Sequence, residues 1–126
     1  MRNLGCLFIM IFFCVNCNSQ AALNSITTKE LKVLLSKGNI QLMDVRTPEE
    51  IKEGAIQTTI FANYFDVDFE KAATAQLNKS MPVYLYCRSG NRSRKACKIL
   101  KEKGFEVINV LGGYQQWNLE KTNSLN

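Results

Sequence analysis

Three short apolar runs, "IQLMDV" from Ile40, "PVYLY" from Pro82 and "VINVL" from Val107, are separated by stretches carrying helix start and stop signals. That alternation restricts the fold more than any other feature. In "TTKELKVLLSKGN" a capping box runs from Thr27 to Glu30, Leu31, Leu34 and Leu35 share one face, and Gly38 stops the helix. "TPEEIKEG" repeats the plan in miniature, with Thr47 as N-cap, Pro48 at the first helical position, Glu50 three after the cap and Gly54 at the end. "TTIFA" reads as a short strand, and Asp66 to Leu77 place Phe69, Ala72, Ala73 and Leu77 at helical spacing. From Ser93 to Lys103 the residues Ala96, Ile99 and Leu100 again mark a helix, which Gly104 ends, and "GGYQQW" is a double-glycine turn into a short last helix. Strands alternating with helices predict an α/β fold with an open, mostly parallel sheet covered on both faces. Ligands of such sheets bind outside the carboxyl ends of strands, where "CRSGNRS" falls after "PVYLY".

A chain of 126 residues holds one domain. The formal charge of +5 comes from lysines scattered along helical segments and a dense cluster that coincides with the loop after Tyr86. That distribution favours small anions and argues against nucleic acid as a partner. Of five cysteines, Cys6, Cys14 and Cys17 stand at the N-terminus, leaving Cys87 and Cys97 to the domain.

The N-terminal stretch "MRNLGCLFIMIFFCVNCNSQ" has one charge, Arg2, followed by uncharged and mostly apolar residues from Leu4 to Val15. A membrane span needs about 20 apolar residues, and this run is shorter, the length of the apolar region of a secretory signal. Residues 1–16 are therefore read as a signal peptide, 17–25 as a spacer, 26–120 as the domain and 121–126 as a polar tail. "CVNCNSQ" is similar to the end of a lipoprotein signal, which makes Cys17 the candidate for lipidation, although Asn16 and Cys14 differ from the usual flanks. The expectation is an exported protein, periplasmic or membrane-anchored, touching the membrane only through that lipid.

"YCRSGNRSRKAC" poses the chemical question, because the chain contains no histidine to activate a thiol. A free thiol near pKa 8.5 is only a few per cent ionised at neutral pH. Here the strand stops at Tyr86 and a helix begins at about Ser93, so unpaired backbone N–H groups point into the intervening loop. Gly90 and Asn91 tolerate positive φ and let the loop curl into a nest of donors. Arg88 and Arg92 add charge, and Ser89 and Ser93 add hydroxyls. Such a loop depresses the Cys87 pKa and binds an oxyanion beside it. Cys97, next to Ala96 on the following helix, reads as a core residue, with a resolving thiol for Cys87 as the alternative. One histidine-free pair of cysteines makes no four-ligand metal site, and no nucleotide-binding glycine pattern is present, so neither metal nor cofactor is expected.

From Ile26 to Trp117 the blocks "LMDVRTPEEIKEGAI", "PVYLYCRSGNRSRKA" and "VINVLGGYQQW" resemble, in order and spacing, the rhodanese-like single-domain sulfurtransferases. The resemblance implies a three-layer α/β/α fold with about five strands, a persulfide-forming Cys87, and a six-residue loop through Arg92 whose amides cradle the outer sulfur. Many relatives carry Gly-His-Ile-Pro where this chain has Gly54, Ala55, Ile56 and Gln57. The implied reaction moves a sulfane sulfur from thiosulfate or a similar anion to a thiol, protein or cyanide acceptor. The alternatives are a non-catalytic module of the same fold, and a persulfide carrier or redox partner of another exported protein. Related dual-specificity phosphatases and arsenate reductases use a longer loop, with arginine at the sixth position after cysteine; here Ser93 occupies that position and Arg92 comes one earlier.

Overall fold

The computed structural model describes residues 22–57 and 59–126. Residues 1–16, read above as a signal peptide, the lipidation candidate Cys17, and Cys6 and Cys14 lie outside the described residues. Five strands, β1 (Asn24–Ile26), β2 (Gln41–Asp44), β3 (Thr59–Phe61), β4 (Val83–Tyr86) and β5 (Val107–Val110), form one all-parallel sheet in the order β1-β5-β4-β2-β3. Helices α1 (Thr28–Lys37), α2 (Pro48–Lys52), α3 (Phe69–Thr74), α4 (Asn91–Glu102) and α5 (Gly113–Asn123) connect and flank them.

Alternation along each strand divides the core into two layers. Met43, Val83, Leu85, Cys87 and Val107 pack with Phe69, Ala73, Ala96, Cys97 and Leu100 of α3 and α4. Leu42, Tyr86 and Val110 pack on the other face with Leu31 of α1, and half-buried Trp117 of α5 joins them. Cys87 and Cys97 therefore share the α4 layer, both as free buried thiols.

The helix starts at Thr27 and Thr47 are observed, each threonine hydroxyl accepting the N–H three residues on. Four boundaries differ from expectation. Asn24–Ile26, of which Asn24 and Ser25 were read as spacer, forms an edge strand paired with Ile108–Val110, a pairing too short to leave a periodic signal. The helix expected over Asp66–Leu77 is only Phe69–Thr74: Asp68 makes no capping hydrogen bond, and Asn63 diverts the chain into a turn by accepting the Phe65 N–H. Helix α4 begins at Asn91 rather than near Ser93, because Gly90 at φ 101° completes the turn within the loop. Helix α5 runs on to Asn123, into the stretch read as a polar tail.

The Asp44-Val45-Arg46 segment at the end of β2 is a buried brace. Arg46 donates from Nε and Nη2 to the Asp44 carboxylate, the latter at 2.7 Å, and Nη2 also donates to the Gly54 carbonyl at 2.8 Å. Its guanidinium lies 4.2 Å from the Tyr114 ring centroid, which joins β2, the end of α2 and α5. A lone buried guanidinium is costly, so Asp44→Ala is expected to destabilise the fold by about 3–5 kcal/mol, read as a lowered urea midpoint.

Candidate active site

The parallel register brings Asp44, Phe61 and Tyr86 to the same edge of the sheet, and the chain leaves β4 there directly into the cysteine loop. Cys87 continues the inward parity of Val83 and Leu85, which turns its sulfur toward the first turn of α4. The residue is 1% exposed. Gly90 N–H donates to Cys87 Sγ at 3.1 Å, and the Ser93 hydroxyl lies 3.4 Å from the same sulfur. Burial pushes the thiol pKa up, but the Ser93 hydroxyl and the N–H groups of Ser93, Gly90 and Ser89 outweigh it and hold Cys87 below its ordinary range. Cys97 has burial without those donors, and burial together with the nearby Cys87 charge pushes it up to about 12.

The loop is clamped from outside by α5. Tyr114 N–H donates to the Cys87 carbonyl at 2.8 Å, and Gln115 N–H donates to the Arg88 carbonyl at 3.0 Å. A Cβ at Gly113, which has φ 55°, would run into both carbonyls. The double glycine before α5 is thus a close-approach surface for the loop as well as a turn.

The structure separates the residues that sequence reading grouped together. Gly90 and Ser93 contact the sulfur directly, and Ser89 acts through its N–H. Arg92 Nη2 pairs with Glu50 Oε2 at 2.8 Å, and its guanidinium lies 5.2 Å from the Phe65 ring centroid. That pairing holds the Glu50 carboxyl below its usual range, chiefly through the hydrogen bond from Arg92. Arg92 Nη1 is buried and, among the described residues, lacks a hydrogen-bond partner. Arg88 is exposed and lines a groove of about 370 Å³ with Arg46, Glu50, Tyr114 and Gln115. Asn91 does not contribute a positive φ: it is the first residue of α4, exposed, and its Oδ1 accepts from Arg94 Nη2 at 3.1 Å. Among the described residues, neither the Arg88 nor the Asn91 side chain hydrogen-bonds the sulfur.

Two participants escaped sequence reading. Glu50 carried only a capping signal, yet it also holds Arg92. Asn109 is 3% exposed in β5, where it bonds both Ser93 and Gly90. The available signal was a single amide on the inward side of "VINVL", one strand away from the loop.

The rhodanese-like domain family profile matches residues 27–120. The chain belongs to the rhodanese-like family. It is 37% identical over 99 residues to a putative sulfurtransferase, YtwF, of Bacillus subtilis, a match covering 78% of this chain and 93% of that protein. A sulfurtransferase of Allochromatium vinosum is 34% identical over 80 residues, covering 63% of this chain and 72% of the relative. Among solved structures, a rhodanese-like domain protein from Staphylococcus aureus superposes with a TM-score of 0.68 at 35% identity, covering 75% of this chain and 91% of the other. The rhodanese-like fold thus accounts for the all-parallel sheet and for a cysteine loop at its carboxyl edge, and relatives at this level of identity include sulfurtransferases.

Among the described residues, Cys87 has donors around its sulfur and Cys97 has none. Alkylation at neutral pH, read by peptide mass spectrometry, is expected to label Cys87 and spare Cys97. Ser93→Ala, which removes the strongest influence holding the thiol down, is expected to move the Cys87 alkylation midpoint to higher pH.

Proposed function

We propose that this protein is an exported sulfurtransferase that carries a sulfane sulfur as a persulfide on Cys87, with thiosulfate or a similar anion as donor. The observation that carries the reading is the buried Cys87 sulfur, held below its ordinary pKa by the Gly90 N–H, the Ser93 hydroxyl and neighbouring amides. The thiolate attacks the outer sulfur of thiosulfate, a sulfur–sulfur bond forms, and the bond to the sulfonate sulfur breaks with its electron pair leaving on sulfite. A thiolate or cyanide then attacks the outer sulfur of the persulfide, and the electron pair of the broken bond returns to Cys87. No external oxidant or reductant enters either step.

Sulfite leaves as a stable anion without a proton donor, which suits a chain with no histidine. The buried Nη1 donor of Arg92, unpaired among the described residues, supports an anionic donor substrate, because a guanidinium already fixed by Glu50 offers oxygen a preset hydrogen bond. The spacing from Cys87 to Arg92 speaks against a phosphate ester, since the loop is one residue shorter than the phosphatase pattern.

The test is the mass of the intact protein after thiosulfate treatment. One added sulfur atom is expected, located on Cys87, removable by cyanide and absent in Cys87→Ser. A protein that binds anions but gains no sulfur would be a non-catalytic module. Sulfur released only to a protein thiol, with cyanide ineffective, would favour a carrier. Export by residues 1–16 predicts a mature chain that starts at a lipidated Cys17, checked by the mass of the N-terminal peptide from a bacterial host.

A further inference from the structure

Asn109 sits on β5 opposite Leu85 of β4 and faces the α4 layer, as Val107 does two residues earlier. Its side-chain amide has one possible orientation. The Gly90 carbonyl, 3.1 Å away, can only accept, so the NH2 end faces it and Oδ1 faces Ser93. The Ser93 hydroxyl has a single proton and two acceptors, Asn109 Oδ1 at 2.6 Å and Cys87 Sγ at 3.4 Å. With a neutral thiol, the shorter contact to oxygen takes the proton, and the Ser93 lone pairs are left facing the sulfur. With a thiolate, the same proton can rotate onto the sulfur as a charge-assisted bond, leaving Oδ1 buried without its donor.

We propose that Asn109 is a positioning residue for Cys87, keeping the Ser93 hydroxyl proton on its own Oδ1 and so limiting how strongly that hydroxyl stabilises the thiolate. The second amide contact does not dominate, because the Gly90 carbonyl also accepts the Arg94 N–H at 3.3 Å and stays anchored to α4 without Asn109. The consequence for chemistry is a moderated sulfur. A thiolate stabilised too far loses nucleophilicity as its pKa falls, and attack is fastest when the pKa lies near ambient pH. Asn109 and the loop amides therefore act in opposite directions on one atom. The relevance to sulfur transfer rests on the proposed function; the arrangement of the three side chains does not.

Other charged and titratable groups around the sulfur are Arg92 and Cys97 on α4, with Glu50 on α2 behind Arg92, the Asp44–Arg46 pair at the end of β2, and Tyr86 beside the cysteine. Among the described residues none of them hydrogen-bonds Asn109, so a substitution there leaves their pairing in place.

The experiment is the pH dependence of Cys87 alkylation by iodoacetamide in the full chain, read on the Cys87 peptide so that the other cysteines do not interfere. Asn109→Leu, close in size and without polar atoms, is expected to lower the midpoint by about half a pH unit, the shift that follows from freeing one hydroxyl for the thiolate. In the Ser93→Ala background the same substitution is expected to leave the midpoint unchanged. Thermal melts report whether each variant folds, and Asn109→Ala replaces the leucine variant if that one does not. A midpoint that rises or stays put in Asn109→Leu, or a downward shift that persists without Ser93, overturns the proposal. Alkylation involves no sulfur donor, so a protein that never accepts sulfur from thiosulfate leaves this test intact.

Discussion

The approach of α5 to the cysteine loop is the contact on which the site depends. Gly113 brings its backbone against the carbonyls of Cys87 and Arg88, with no room for a side chain, and the next two N–H groups bind those carbonyls. A loop whose carbonyls are drawn outward in this way keeps its own N–H groups free to face inward. Gly90 does so at a left-handed φ and places its N–H on the sulfur. The same helix supplies Tyr114, whose ring stacks on Arg46, so the brace at the end of β2 and the clamp on the loop share one element.

Burial and ionisation oppose each other at Cys87, and the balance holds a thiol in the core below its ordinary pKa. Cys97, one layer neighbour away, shows the outcome of burial beside the Cys87 charge without compensating donors, with a pKa pushed up to about 12. What separates the two is hydrogen bonding: a hydroxyl and three amides surround one sulfur, and none of them serves the other. Short-range donors fixed in a dry site count for more than charges at a distance, which is why a chain without histidine can still stabilise a thiolate. The arginines serve different ends. Arg46 holds the fold together, Arg92 has a buried donor that is unpaired among the described residues, and Arg88 faces a solvent groove.

Much of this was legible in the chain because it depends on local rules. The caps at Thr27 and Thr47 are bonds between neighbours in sequence, and the apolar runs of β2, β4 and β5 declare themselves by composition. The edge strand Asn24–Ile26 was not legible, since a three-residue strand has no period and exists only because β5 offers it a partner. Helix α3 was overextended for the opposite reason: Leu77, at helical spacing from Ala73, packs on the same core from a turn beyond the end of the helix.

By itself the sequence determined the cysteine loop with Cys87 at its head, the length of that loop and the α/β order of the chain, because these follow from the types and spacing of adjacent residues. The tertiary structure decided which loop groups reach the sulfur and which do not. Ser93 and Arg92 are neighbours in sequence, yet one is turned inward by Asn109, sixteen residues later, and the other is held by Glu50, forty-two residues earlier. Hydrogen-bond partners that distant come together only when parallel strands bring their carboxyl ends to one edge, and no local pattern of residues encodes that meeting.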